Sequence, residues 1–198
     1  MKLKRCFDLL ASLTGLCLLA PLMLLIACWI RLDSPGPALF VQQRVGRHGV
    51  PFSIFKFRTM ANDGAAAGST PGMWPQPRIT RAGRWLRRTK LDELPQLANV
   101  VLGQMSLVGP RPELARYVAC YPSAVRAKVL SVAPGITEWG SIRYRDEGSL
   151  LAAADDPERT YIEDILPVKL AFYQRYVDQR SFWMDLRIIA STVSTLWR

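Results

Sequence analysis

Leu9 to Ile30 reads LLASLTGLCLLAPLMLLIACWI, 22 residues without a charge. A straight helix of that length rises about 33 Å, enough to cross a bilayer. Bases stand on both sides of it: Lys2, Lys4 and Arg5 before, Arg31, Arg44 and Arg47 after. The positive-inside rule therefore wants both ends in the cytoplasm, which one straight crossing cannot satisfy. Pro21, near the middle, lacks an N–H and clashes with the preceding turn. The reading is a re-entrant helical hairpin broken at Pro21, with two limbs of about 18 Å dipping into one leaflet. Asp8 is expected to pair with Lys4 or Arg5, one turn away. A plain spanning helix and a cleaved lipoprotein signal are the competitors. The second would use Leu25-Ile26-Ala27-Cys28 as its processing box, but Asp8, Pro21 and the apolar Trp29-Ile30 argue against it.

The chain as a whole is globular in composition. Its 198 residues are 49% hydrophobic, with a mean hydropathy of +0.07, which excludes a wholly disordered polymer. The net charge is +10, and an anionic partner is expected. The excess sits in residues 1–120, with 16 bases against 6 acids, while residues 121–198 balance. Cys6, Cys17, Cys28 and Cys120 form no CxxC or Cys/His set for zinc and read as free thiols.

Periodicity sketches the rest. Residues 38–45 and 51–60 read as strands joined by a turn at 46–49, where His48, the only histidine, is a solvated loop residue. Residues 61–77 form a Gly/Ala/Pro-rich loop whose Met73-Trp74 suits lipid headgroups or a core anchor. Helical spacing runs from Ile79 to Gly103, then again over 113–121, 123–130, 155–180 and 182–197, the last with Trp183, Leu186, Ile189, Ala190 and Val193 on one side. Residues 106–112 read as a rigid loop, and Pro134 to Thr137 as a short strand-like piece. The expected fold class is α/β, mostly helical with a small antiparallel β-hairpin. Residues 1–33 form the membrane hairpin and residues 34–198 a cytoplasmic catalytic domain on the membrane surface.

Asp92-Glu93 is the first acidic pair after Asp63 and follows six bases between Arg78 and Lys90. An ordinary explanation is a helix face of self-paired charges. The functional one is that arginines gather phosphates while the carboxylates bind a divalent cation or attack phosphorus. Magnesium suits such a site, because one or two carboxylates plus phosphate oxygens fill its octahedron. Lys56, Arg58 and Arg111 are further bases on apparently rigid elements.

Five segments carry a resemblance: Lys4-Arg5 with Asp8 before a Pro-broken apolar run; QQRVGRHGVPFSIFKFRTM (42–60); LRRTKLDELPQLANVVLGQMSLVGPRP (86–112); PGITEW (134–139); and a closing SFWMDL (181–186). Together they resemble the bacterial sugar transferases, monotopic polyprenyl-phosphate hexose-1-phosphate transferases in their minimal single-domain form. The resemblance implies a two-step exchange. An aspartate attacks the sugar-bearing phosphate of a UDP-sugar and releases UMP; undecaprenyl phosphate then takes the phosphosugar from the covalent intermediate. Asp92 matches the nucleophile and Glu93 its partner, with Mg2+ at the dyad. Arg87 matches an active-site arginine, Arg111 belongs to the matching Pro-Arg-Pro loop and Arg145 matches a downstream arginine, although Ile142-Arg143-Tyr144 replaces the common Val-Asn-Gly before Arg145, and Glu138 replaces a frequent glycine. With Lys56 these are the expected phosphate- or substrate-binding residues.

Implied partners are a UDP-sugar, undecaprenyl phosphate and membrane phospholipid, with a homodimer possible and no nucleic acid; the implied location is the cytoplasmic face of the bacterial inner membrane. The rival from another class is a basic membrane-anchored nucleic-acid-binding or regulatory protein, but the Arg78–Lys90 row lacks a base-reading partner helix. Arg87 lies five residues before Asp92, about 500° of ideal helix, so one face cannot hold both. A helix start between them is expected, with Thr89 as its N-cap and Glu93 helping.

Overall fold

The computed structural model describes residues 2–61, 79–144 and 147–196. Met73-Trp74, nearly all of the 61–77 loop and Arg145 lie outside the described residues.

Lys2–Asp33 form one helix, α1, with Pro21 inside it. Pro21 deprives the Cys17 carbonyl of its donor, yet the helix runs through, so the expected division into two limbs is not confirmed. Leu and Ala before Pro21 and Leu and Met after it are strong helix formers, which favours continuity. The helix is long and apolar enough to cross a membrane. Leu3, Leu10, Leu18, Leu24, Leu25 and Leu32 are all exposed, leaving most of its apolar surface uncovered.

Both ends of α1 nevertheless dock on the folded body. At the first end Asp8 is buried: its Oδ2 accepts from Ser106 Oγ at 2.8 Å and its Oδ1 from Leu107 N at 3.3 Å. Lys4 reaches Asp185 Oδ2 at 2.6 Å and Val108 O at 3.1 Å, while Asp8 is 4.0 Å away. The expected Lys4–Asp8 pair is thus the weakest of these contacts, because both side chains have closer partners. Arg5 donates to Val100 O and Val101 O. At the other end Ile26 and Ile30 pack on Phe57, Ala82 and Leu86, Trp29 meets Trp85 with ring centroids 5.6 Å apart, and Asp33 Oδ2 accepts from Ala82 N at 3.0 Å.

The hairpin is as read: β1 (Leu39–Val45) pairs antiparallel with β2 (Pro51–Phe57), Leu39 opposite Phe57 and Val45 opposite Pro51. His48 turns the chain at φ 58° and is exposed. Both faces of β2 are covered, Phe52 and Ile54 against Val100 and Met105, Phe57 against α1. Arg58 is buried and capped onto carbonyls at the end of α1, including Pro35 O at 2.6 Å and Ser34 O at 2.7 Å. It closes the helix C-terminus, where a cation is favoured.

The single helix read over 79–103 is three pieces. Helix α2 (Arg81–Thr89) is N-capped by Thr80, whose Oγ1 accepts from Gly83 N at 2.9 Å. Gly83 is forced, since a Cβ there would stand 2.0 Å from Thr59 O. Lys90 then takes φ 58°, ψ 13°, a left-handed residue that ends α2 and starts a 3-10 turn at Leu91–Glu93, followed by α3 (Gln96–Val101). The expected interruption between Arg87 and Asp92 exists, but Thr89 does not cap it: its hydroxyl turns back to Trp85 O at 2.9 Å.

The stretch read as a loop at 106–112 begins with a strand. There β3 (Ser106–Val108) pairs in parallel with β4 (Gly135–Thr137), a two-stranded sheet that the local pattern hid. Backbone meets backbone here, and a Cβ on Gly135 would lie 2.0 Å from Gly109 N. Short helices α4 (Ala115–Ala119), α5 (Ser123–Val129), α6 (Trp139–Arg143) and α7 (Glu147–Ala152) follow. The 155–180 helix is split into α8 (Pro157–Thr160), a π-turn at Tyr161–Ile165 and α9 (Leu166–Gln179); Pro167, without an N–H, sits at the join.

Helix α10 (Phe182–Leu196) is rotated from the expected face. It buries Asp185 and Ile188, whereas Trp183, Ala190 and Val193 point outward. Asp185 sets that rotation, because Lys4 and the Tyr176 hydroxyl (2.8 Å from Asp185 Oδ1) both need it inside.

Candidate active site

Bases from two separate parts of the chain converge on Glu93. Lys56 shares the inward face of β2 with Phe52 and Ile54, and its Nζ lies 2.9 Å from Glu93 Oε1. Arg111, just beyond β3, grips the same carboxylate bidentately, Nη2 on Oε1 and Nη1 on Oε2, the latter at 3.3 Å. Such forked pairs are short, strong and orientation-specific. Burial disfavours the Glu93 charge, but Arg111 and then Lys56 outweigh it and hold its carboxyl well below the ordinary range. In return Glu93 raises Arg111 well above its usual value, while burial pulls Lys56 down.

Asp92 is left in a different state. It is buried, and its Oδ1 has no hydrogen-bond partner among the described residues. Burial first, then the Glu93 charge, push its carboxyl up against the pull of Lys56, Lys90 and Arg111. The surrounding cations therefore do not by themselves hold this carboxyl at its ordinary value, because Glu93 has already claimed two of them. Three bases around two carboxylates still leave one positive charge for an incoming anion.

Two members of this group escaped the sequence reading. Lys90, an exposed residue, lines the cleft beside Glu93 and Arg111, where partial desolvation by the cleft, then the Arg111 charge, lower its pKa. Asn99, fully buried, joins α3 to the open edge of β2: its Oδ1 accepts from Phe55 N at 3.0 Å and its Nδ2 donates to Ser53 O at 2.8 Å. That clip fixes Lys56 opposite the turn bearing the dyad. An asparagine inside the apolar face Leu97–Val101 was the available signal, since a buried amide needs partners.

Arg87 is not brought in. It is exposed on the last turn of α2 and makes no hydrogen bond or ion pair among the described residues. Lys4, Arg5 and Asp8 sit behind the site, on β3 and the end of α3.

The profile of the bacterial sugar transferase family matches residues 1–198. The chain belongs to that family. Among its relatives in the family, the undecaprenyl-phosphate glucose phosphotransferase of Komagataeibacter xylinus is 42% identical over 96% of this chain and 35% of that protein. The UDP-N-acetylgalactosamine-undecaprenyl-phosphate N-acetylgalactosaminephosphotransferase of Aeromonas hydrophila is 35% identical over 98% of this chain and 43% of its own length. The uncharacterized sugar transferase EpsL of Bacillus subtilis is 38% identical over 98% of the chain and 86% of its length. The chain thus spans less than half the length of the first two family members.

Proposed function

We propose that this protein transfers a sugar-1-phosphate from a UDP-sugar to undecaprenyl phosphate through a covalent aspartyl-phosphosugar intermediate. The carrying observation is the asymmetry of the dyad: Glu93 is held at both oxygens by Arg111 and at one by Lys56, while buried Asp92 keeps an oxygen with no partner among the described residues. In the first step an Asp92 carboxylate oxygen bonds to the sugar-bearing phosphorus, and the P–O bond to UMP breaks. In the second, a phosphate oxygen of undecaprenyl phosphate bonds to the same phosphorus and Asp92 leaves as carboxylate. Lys90, Arg111 and Lys56 stabilise the charge that develops on the transferred phosphate.

The residues fit a divalent cation. Among the described residues Asp92 Oδ1 has no partner and Glu93 Oε2 accepts one hydrogen bond, which leaves a lone pair there. Asp92 and Glu93 would hold Mg2+, which would keep the Asp92 carboxylate ionised and neutralise phosphate charge.

We further infer that in the membrane α1 bends at Pro21, where the Cys17 carbonyl lacks its donor, and so enters and leaves one leaflet on the cytoplasmic side. Both of its ends are tied to the same folded body, so neither is left for the opposite compartment. The outward Trp183 and Val193 of α10 add apolar surface for the lipid boundary. The test of function is UMP release from UDP-sugars by the full chain in detergent with undecaprenyl phosphate. Production of a lipid diphosphate sugar supports the reading; hydrolysis without lipid product, or no reaction, contradicts it. For topology, single cysteines placed before residue 4 and after residue 31 in a cysteine-free background should both label from the cytoplasmic side.

A further inference from the structure

The cleft bordered by Lys90 and Arg111 has an apolar lining of Leu94, Leu97, Ile136 and Ile142, into which three hydroxyls are set: Thr137 at the end of β4, Ser141 in α6 and Thr192 in α10. The hydrogen-bond sense of these hydroxyls is fixed. Thr192 Oγ1 donates its one proton to Ile188 O, four residues back, at 2.8 Å. Thr137 Oγ1 lies 2.7 Å from Thr192 Oγ1, and since the Thr192 proton is used, Thr137 is the donor. Ser141 Oγ donates to Glu138 Oε1 at 2.9 Å, an oxygen that also accepts from Ser141 N. Glu138 is buried and holds α6 by its first turn, accepting from Gly140 N as well. All three hydroxyl protons are therefore spent inside the protein, and what remains for a ligand is lone pairs. The facing Lys90 and Arg111 carry only donors.

We propose that the Thr137–Ser141–Thr192 set reads the sugar: it accepts hydrogen bonds from hexose hydroxyls or an N-acetyl N–H, while Lys90 and Arg111 hold the phosphates. This rests on the reading of the cleft as a UDP-sugar site. A polyprenyl chain suits the apolar residues of this cleft but brings no donor to the three hydroxyl oxygens; a hexose ring carries donors around its whole edge. Sugar choice is then a matter of which ring hydroxyls point at fixed acceptors, and a site built to bond a hydroxyl rejects the analogue that lacks it.

The experiment measures UMP release by the full chain, with undecaprenyl phosphate, from UDP-glucose, UDP-galactose, UDP-N-acetylglucosamine and UDP-N-acetylgalactosamine. On the best of the four, Thr192→Val should lower kcat/KM about tenfold, the value of one lost hydrogen bond. KM for undecaprenyl phosphate should stay within about twofold, the order among the four sugars should change, and Thr192→Ser should restore the activity. A second arm uses the unmodified chain, so it survives any folding defect in the variant. Deoxyfluoro analogues of the preferred sugar are offered beside the deoxy ones. Fluorine accepts but cannot donate, so at one or more ring positions both analogues should be rejected alike. The inference is overturned if Thr192→Val acts through KM for undecaprenyl phosphate or changes nothing, or if every fluoro analogue is used like its parent. An unmodified chain that releases no UMP from any of the four sugars overturns the functional reading itself, and this inference with it.

Discussion

Lys169→Met tests how the loop that presents Arg111 is anchored. Glu113, two residues beyond Arg111, is buried with Lys169 Nζ 3.4 Å from its Oε1. The Tyr161 hydroxyl donates to the same oxygen at 2.8 Å, Lys169 donates to that hydroxyl at 3.2 Å, and Glu147 lies 2.9 Å from Lys169. Removing the ammonium leaves Glu113 with Tyr161 and with Arg44 at 3.8 Å; Glu147 is partly exposed and can turn to water. Breaking one side of a buried pair costs about 3–5 kcal/mol. For a chain of this size that corresponds to a Tm lower by about 10 °C, read by tryptophan fluorescence in detergent. Adding Glu113→Gln should recover part of it, because the stranded charge is then gone.

The pH dependence carries a sign. In the unmodified chain burial opposes the Glu113 charge, but Lys169 and then Arg44 prevail and hold its carboxyl below the ordinary value. Burial likewise opposes the Lys169 charge, but Glu113 and Glu147 raise it above the usual lysine value. Glu113 thus contributes stability that is lost only as pH falls through its depressed pKa, and Lys169 stability that is lost only as pH rises through its raised one. In Lys169→Met, burial without the ammonium raises Glu113, whose stabilising neutral form is lost as pH rises. The deficit should therefore shrink between about pH 8 and about pH 5. A Tm within about 2 °C of the unmodified chain, or a deficit that grows on acidification, would refute the anchoring role.

Other substitutions separate structure from chemistry. Lys90→Gly relieves a left-handed lysine and should raise stability by about 1 kcal/mol, yet lower kcat/KM for the UDP-sugar about tenfold or more through loss of the ammonium; gain or loss in both together would contradict this split. Asp8→Ala strands the Ser106 hydroxyl and Leu107 N–H and should cost about 2–4 kcal/mol by thermal melting, with Asp8→Asn costing less because one acceptor oxygen remains. Arg87→Ala tests the phosphate-binding role that the resemblance implies against a structure that leaves its guanidinium outside the cluster. Tm should not change; a raised KM for the UDP-sugar with a greater loss than in Arg88→Ala would support that role, and an unchanged KM would refute it.

The hairpin was legible because alternation and a Gly-flanked turn are local signals, and the clustering of Asp92, Glu93 and Arg111 because KLDEL (90–94) and GPRP (109–112) are each unbroken motifs. What could not be read were pairings across distance. The strand at Ser106–Val108 is defined by Gly135–Thr137, some thirty residues on, and three residues carry no periodicity of their own. The face of α10 was misjudged because apolarity was counted, while the helix is oriented by a buried aspartate. Asp8 does meet Lys4, at 4.0 Å, but β3 offers it closer partners, the Ser106 side-chain hydroxyl and the Leu107 backbone N–H, which no helical spacing announces. Lys90 was unmarked in sequence because lysine gives no hint of a positive φ, and only the turn that it makes brings Asp92 and Glu93 into one cluster with Lys56.

The central claim is that Asp92 becomes covalently attached to the phosphosugar. Its most direct measurement is intact-protein and peptide mass spectrometry after incubation with a turned-over UDP-sugar in the absence of undecaprenyl phosphate. The account predicts stoichiometric UMP and a hexose-phosphate adduct on the Asp92 peptide, discharged on adding the lipid phosphate and absent from Asp92→Asn. An adduct on another residue, or UMP formed only when both substrates are present and with no adduct, would contradict it.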